Sequence, residues 1–214
     1  MPPPVHKGRS ADQILNEHIY FDSVGYFFRS VSWADYYKRH QSFSSIIYAC
    51  ADARLGIEYL MFEDLIISTG AALSEEEYIQ CTKERNRFGK MIKQLSPDYD
   101  KLKEFARAVV ELDADAPKLI FWDHGDLLKK WGKLSSYLHW FGAISHTTDD
   151  PKWAGSASEE IIEITEAIWA KSTPGRMGIM PVSKMEPKAK EVWEDFKNGN
   201  TDYEGLKIRL QIVR

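Results

Sequence analysis

Few residues in this chain have both the type and the spacing to do chemistry, and His139 leads them. It lies in a stretch, 127–142, whose apolar periodicity predicts a helix. Leu128, Gly132, Ser135, His139 and Gly142 then fall on one side, at spacings of four, three, four and three. The adjoining stripe of Leu127, Trp131, Leu134, Leu138 and Phe141 is bulky and apolar. Imidazole exchanges a proton near neutral pH, so His139 is a candidate acid–base group. Glycine and serine beside it let a helix or a ligand come close to the backbone. Ser135 and Ser136 supply a serine–histidine pair, but no acid partner or oxyanion hole accompanies it, which argues against a hydrolase.

A second polar set sits inside apolar faces. Ile47, Ala51, Arg54, Glu58, Met61 and Leu65 align on a long helical stretch, with Arg54 and Glu58 four apart. Tyr78, Cys81, Arg85, Phe88, Ile92 and Leu95 repeat the pattern, with Arg85 in the seam. Burying a lone charge costs several kcal/mol, so these charges must be paired, with Glu58 or Glu63 shared between the two arginines. Two readings follow. One is a structural network that fixes helix register. The other is a polar centre, with His139, that binds an anion or a phosphodiester. Lys83, Arg87 and Lys90 form a basic stripe near Lys93, either solvated or in contact with nucleic-acid phosphates.

Asp123, His124, Asp126, His146, Asp149 and Asp150 bracket the His139 stretch but show no recognised metal-ligand spacing, and aspartates at helix ends are expected as caps. No metal is expected. The chain carries no phosphate-binding loop, dinucleotide glycine fingerprint or nucleophile elbow, so no cofactor is expected either.

These residues need elements to hold them. The chain has 214 residues, 43 % hydrophobic and 13 % aromatic, enough for a sizeable core. A net charge of -4 gives no global reason to expect nucleic acid. Cys50 and Cys81 lie outside any C-x-x-C pattern and read as reduced thiols, which fits a cytoplasmic chain without a signal peptide. The most apolar stretch, 46–73, carries Asp52, Arg54, Glu58, Glu63 and Asp64, too many charges for a membrane span. Helical patterns run through 11–29 and 33–68, the latter capped by Ser32, broken near 41–45 and stopped at Gly70. Others follow Ser74, whose Glu77 completes a capping box, and cover 99–112, 158–171 and 187–198. Residues 146–156 read as a polar loop. Leu206, Ile208, Leu210 and Ile212 alternate with polar residues, a strand period that could pair with 177–182 in a short β-ribbon. No internal repeat supports a solenoid. The expected fold is all-α: a bundle of five to seven helices over 1–175, with a small irregular appendage over 176–214 packed on it.

The run Ala53-Arg54-Leu55-Gly56-Ile57-Glu58-Tyr59-Leu60, followed by Trp131-x-Lys133-Leu134-Ser135-x-Tyr137-Leu138-His139, resembles the HEPN superfamily over about 44–142. The resemblance implies a compact helical bundle, often dimeric. Many members are ribonucleases of toxin or antiviral systems and others are noncatalytic. Their active signature is an arginine four to six residues before a histidine, followed by a polar residue. Only His139 carries over. Lys133 stands near the arginine position and Leu134 follows it, and a lysine lacks the planar bidentate grip on phosphate. The expectation is therefore a noncatalytic interaction protein that associates through helices, with Gly132, Ser135, His139, Gly142, Arg54, Glu58 and Arg85 as binding residues. Its partner would be a second copy or another protein, and no membrane is expected. The first alternative is a metal-independent ribonuclease using His139 with Lys133, with RNA as partner. The second is a bundle that binds a small molecule among Trp131, His139 and Trp140.

Overall fold

The computed structural model describes residues 22–69, 74, 76–77, 79–80, 88–113, 119–140, 151–172, 176–177 and 182–213. Eight α-helices lie among them: α1 (Ser23–His40), α2 (Phe43–Ser68), α3 (Phe88–Leu95), α4 (Tyr99–Glu111), α5 (His124–Trp140), α6 (Pro151–Ser172), α7 (Pro187–Lys197) and α8 (Tyr203–Val213). The protein is all-α, as its composition and periodicity imply. Two short strands, β1 (Leu119–Ile120) and β2 (Arg176–Met177), pair in parallel, with Leu119 opposite Arg176 and Ile120 opposite Met177. Among the described residues no helix is long and apolar enough to cross a membrane.

Local chemistry explains the helix ends. The Asp22 carboxylate accepts a hydrogen bond from the Gly25 N–H at 2.6 Å and caps α1. Lys38, Arg39 and His40 complement the dipole in its last turn. Gln41 adopts the left-handed conformation at φ 53 and donates its N–H to the Tyr37 carbonyl, which closes α1. The break expected near 41–45 is thus real. Ser32, however, lies inside α1 and caps nothing. Its hydroxyl donates to the Phe28 carbonyl one turn back, a bond that competes with a capping role. The Ser74 box forms as expected: the Ser74 N–H donates to the Glu77 carboxylate at 2.8 Å, and the Glu77 N–H to the Ser74 hydroxyl at 3.2 Å.

Two compact units emerge. Unit 1 draws its described residues from Phe62–Leu112 and Ile179–Arg214, and unit 2 from Tyr20–Met61 and Asp113–Gly178. The hydrophobic core of unit 1 is formed by α4, α7 and α8, with Leu102, Phe105, Trp193, Phe196, Leu206 and Leu210 at its centre. Phe105 meets Trp193 edge-on at 5.5 Å between centroids. In place of the irregular appendage expected over 176–214, α7 and α8 are therefore part of this core. The expected strand over 206–213 is helical. Leu206 and Leu210 are buried one turn apart, while Ile208 and Ile212 face solvent. An i, i+4 pair satisfies a helix as well as an alternating pattern does, and β2 pairs with β1 rather than with this segment.

In unit 2, α1 packs on α6, and α5 also meets α6. Residues 151–156, expected as loop, form the first turns of α6, and Ser158 lies within it, its hydroxyl bonded to the Ala154 carbonyl. The first part of α2 lies against α1 at Gly56, where a Cβ would stand 2.5 Å from the Phe27 ring. Only glycine permits that approach.

Candidate functional site

The polar residues of unit 2 gather between α2 and α5. Glu58 is 5 % exposed, and its Oε1 accepts from the Arg54 guanidinium at 3.1 Å and from the Trp131 indole N–H at 2.9 Å. The Arg54 Nε–H donates to the Ser135 hydroxyl at 2.8 Å, and the guanidinium lies over the Trp131 ring, 5.1 Å from its centroid. A buried carboxylate is tolerable only when charged and neutral donors replace its water, and both kinds are present. The helical repeat of α2 places Arg54 and Glu58 one turn apart, and that of α5 does the same for Trp131 and Ser135. Two turns on each helix thus interlock. The i, i+4 pairing of Arg54 with Glu58 was readable in the sequence; the two groups that α5 adds were not joined to it there.

Also on α5, Lys133 pairs with Glu160 of α6 at 3.1 Å, and the Tyr137 hydroxyl donates to the same carboxylate. Burial, and then the bond to Glu160, holds the Tyr137 phenol above its ordinary range. Cys50 is buried and donates its thiol to the Leu134 carbonyl at 3.3 Å. Burial pushes that thiol up to about 12, against a smaller opposing pull from Arg54, so it is neither a nucleophile nor a ligand at neutral pH.

His139 does not join these groups. It is exposed near the end of α5, and among the described residues it makes no hydrogen bond or ion pair. Gly132 is exposed too, and a Cβ built there meets nothing within 4 Å. Of the expected binding residues, Arg54, Glu58 and Ser135 meet, Gly132 and His139 face solvent, and Arg85 and Gly142 lie outside the described residues. So do Lys83 and Arg87 of the basic stripe, and Cys81. Lys133, the expected phosphate contact of the ribonuclease reading, is held by Glu160.

Among the described residues no group of three histidine, cysteine, aspartate or glutamate side chains could hold a metal ion. Asp123 instead caps α5, accepting from the Asp126 N–H at 3.0 Å. A cleft of about 300 Å³ lies within unit 1, between the end of α2, the α3–α4 turn and α7. Trp193, Asp98 and Glu194 line it, and Trp131 and His139, expected around a small molecule, do not. No family model matches the chain, and neither a curated protein nor a solved structure matches it.

Proposed function

We propose that this chain is a noncatalytic, HEPN-like interaction protein that works through helix–helix association, with the Gly132–His139 face of α5 as its contact surface. One observation carries the reading. Arg54 and Lys133, the cations that the ribonuclease reading would need, are each held by a carboxylate, while His139 stands apart in solvent. Acid–base cleavage of RNA needs a histidine and a phosphate-binding cation that converge on one atom. Association needs an accessible face with room over its backbone, and Gly132 provides it. The partner would be a second copy or another helical protein.

Sedimentation of the wild-type chain and of Gly132→Trp tests the proposal. The added side chain starts into open space, since nothing lies within 4 Å of its Cβ, and thermal melting checks that the variant monomer stays folded. The expected result is a concentration-dependent dimer that the variant loses. A wild type that stays monomeric at high concentration overturns the self-association form. Metal-independent RNA cleavage abolished by His139→Ala overturns the noncatalytic reading altogether.

A further inference from the structure

The cleft of unit 1 is walled in part by polar groups that the fold leaves unused. It encloses about 300 Å³, at the lower end of the range for small-molecule sites. Trp193 and Ser96 line it, although they are only 2 % and 8 % exposed. Among the described residues neither the Trp193 indole N–H nor the Ser96 hydroxyl has a hydrogen-bond partner, and neither is sealed from solvent. Both therefore open into the cleft. A nearly buried donor that no protein group satisfies costs free energy unless something in the cleft accepts from it.

Charge narrows what that acceptor belongs to. The carboxylates of Glu77, Asp98 and Glu194 line the cleft, and Lys197 is the cation among its lining residues. Glu194 already holds Lys197 at 2.7 Å. Glu77 accepts from neutral donors, the N–H and hydroxyl of Ser74. Asp98 precedes α4 without bonding its first N–H groups, and among the described residues neither Asp98 nor Glu77 is paired with a cation. The last turn of α2, the negative end of that helix dipole, reaches the cleft through Ser68 and carries no basic residue. The start of α4 adds a partial positive charge, which the full charge of Asp98 outweighs. The cleft thus favours a cation. Among the described residues its carboxylates do not gather as metal ligands do, so an organic cation fits it better than a metal ion.

We propose that this cleft binds a small hydroxylated amine of the amino-sugar class. Its ammonium supplies the charge that Glu77 and Asp98 lack, through hydrogen bonds strengthened by charge on both sides. Its oxygens accept from the Trp193 N–H and the Ser96 hydroxyl. An alkyl diamine has the charge but, once protonated, no acceptor for these donors. A neutral sugar has the acceptors but leaves both carboxylates unpaired. The site therefore distinguishes the three classes. It lies within unit 1 and stands independently of the Gly132 face.

The test is a titration of the full chain with glucosamine, glucose and putrescine in weakly acidic buffer, where the amines are charged. Indole N–H signals in a nitrogen-15 correlation spectrum report binding, and Trp193→Phe identifies the Trp193 signal by its loss. Glucosamine should shift that signal saturably. Glucose and putrescine should each bind at least about tenfold more weakly, and so should glucosamine to Asp98→Asn, since a charge-assisted bond is lost in each case. Thermal melting checks that both variants remain folded, and calorimetry on Asp98→Asn keeps the test open if Trp193→Phe does not fold. The proposal is overturned if glucosamine shows no saturable binding or leaves the Trp193 signal in place. It is equally overturned if glucose or putrescine binds as tightly, or if folded Asp98→Asn binds as well as the wild type.

Discussion

The cores of the two units are held together by different means. In unit 1 the buried contacts among α4, α7 and α8 are apolar, centred on Phe105 and Trp193, with ion pairs such as Lys207–Glu111 and Arg209–Asp195 at their margin and one buried polar bond, from the Tyr99 hydroxyl to Asp64 of α2. In unit 2 the helices are joined at intervals by buried polar groups. The Ser30 hydroxyl bonds the Ala49 carbonyl at 2.7 Å and lies 3.2 Å from the Thr165 hydroxyl, Cys50 bonds the Leu134 carbonyl, and Glu58 takes Arg54 and Trp131 together. Apolar packing rewards volume and tolerates small slips of register. A polar contact is lost outright when one helix turns by a residue. Unit 2 thus specifies its helix register atom by atom, and the α4–α7–α8 core of unit 1 specifies it by fit.

The largest expected effect is in the apolar unit. Trp193 is 2 % exposed, and Trp193→Ala should destabilise the chain by about 3–5 kcal/mol in urea denaturation. A loss under about 1 kcal/mol would mean that this core collapses around the gap and fit is not what fixes it. In unit 2, Glu58→Ala should cost about 3 kcal/mol, because it strands a partly buried guanidinium and an indole N–H. The double variant Arg54→Met with Glu58→Met should cost clearly less than the sum of its two single changes. Additive losses would show that the two residues act separately.

Next come two glycines in mid-helix. Gly56→Ala drives a Cβ into Phe27 and should cost about 1–3 kcal/mol. Gly132→Ala should raise stability by about 0.5–1 kcal/mol in dilute solution, since helix propensity improves and nothing is crowded. Equal effects at the two sites would erase the contrast between a packed and an open helix face.

The smallest effect concerns pH. Burial raises the Cys50 thiol to about 12, and burial with carboxylate neighbours raises the phenols of Tyr137 and Tyr99. Each group keeps its proton longer in the folded chain than in the unfolded one. The stability they contribute is complete below the ordinary thiol value of 9.0 and is lost as pH rises toward their folded values. The melting temperature should fall between pH 9 and 11, and Cys50→Ala should flatten part of that decline.

Local patterns made much of this fold legible in the sequence. The Ser74–Glu77 box, the break at Gln41 and the start of α7 at Pro187 each depend on chemistry within a few residues. Ser32 misled because a hydroxyl that can cap a helix can equally bond the carbonyl four residues back. Leu206–Val213 misled because alternation over eight residues satisfies two periods at once. The polar interlock was half visible: Arg54 and Glu58 are neighbours on one helix, but the contributions of Trp131 and Ser135 depend on how two helices meet. The exposed rings of Trp33, Tyr36 and Tyr48 carried no signal, since in one dimension a surface aromatic looks like a core one.

The interleaving of the two units bears on how the chain is made. A ribosome delivers α1 and the apolar length of α2 early, yet α1 packs on α6, more than 100 residues later. In unit 1 the apolar face of α4 likewise waits for α7 and α8, although Tyr99 at its start can already bond Asp64 of α2. Neither core can close while the first half of the nascent chain stands alone, and its greasy helices must stay unclaimed through much of translation. Holding chaperones would find their target in that interval, and slower elongation through the later helices would lengthen it.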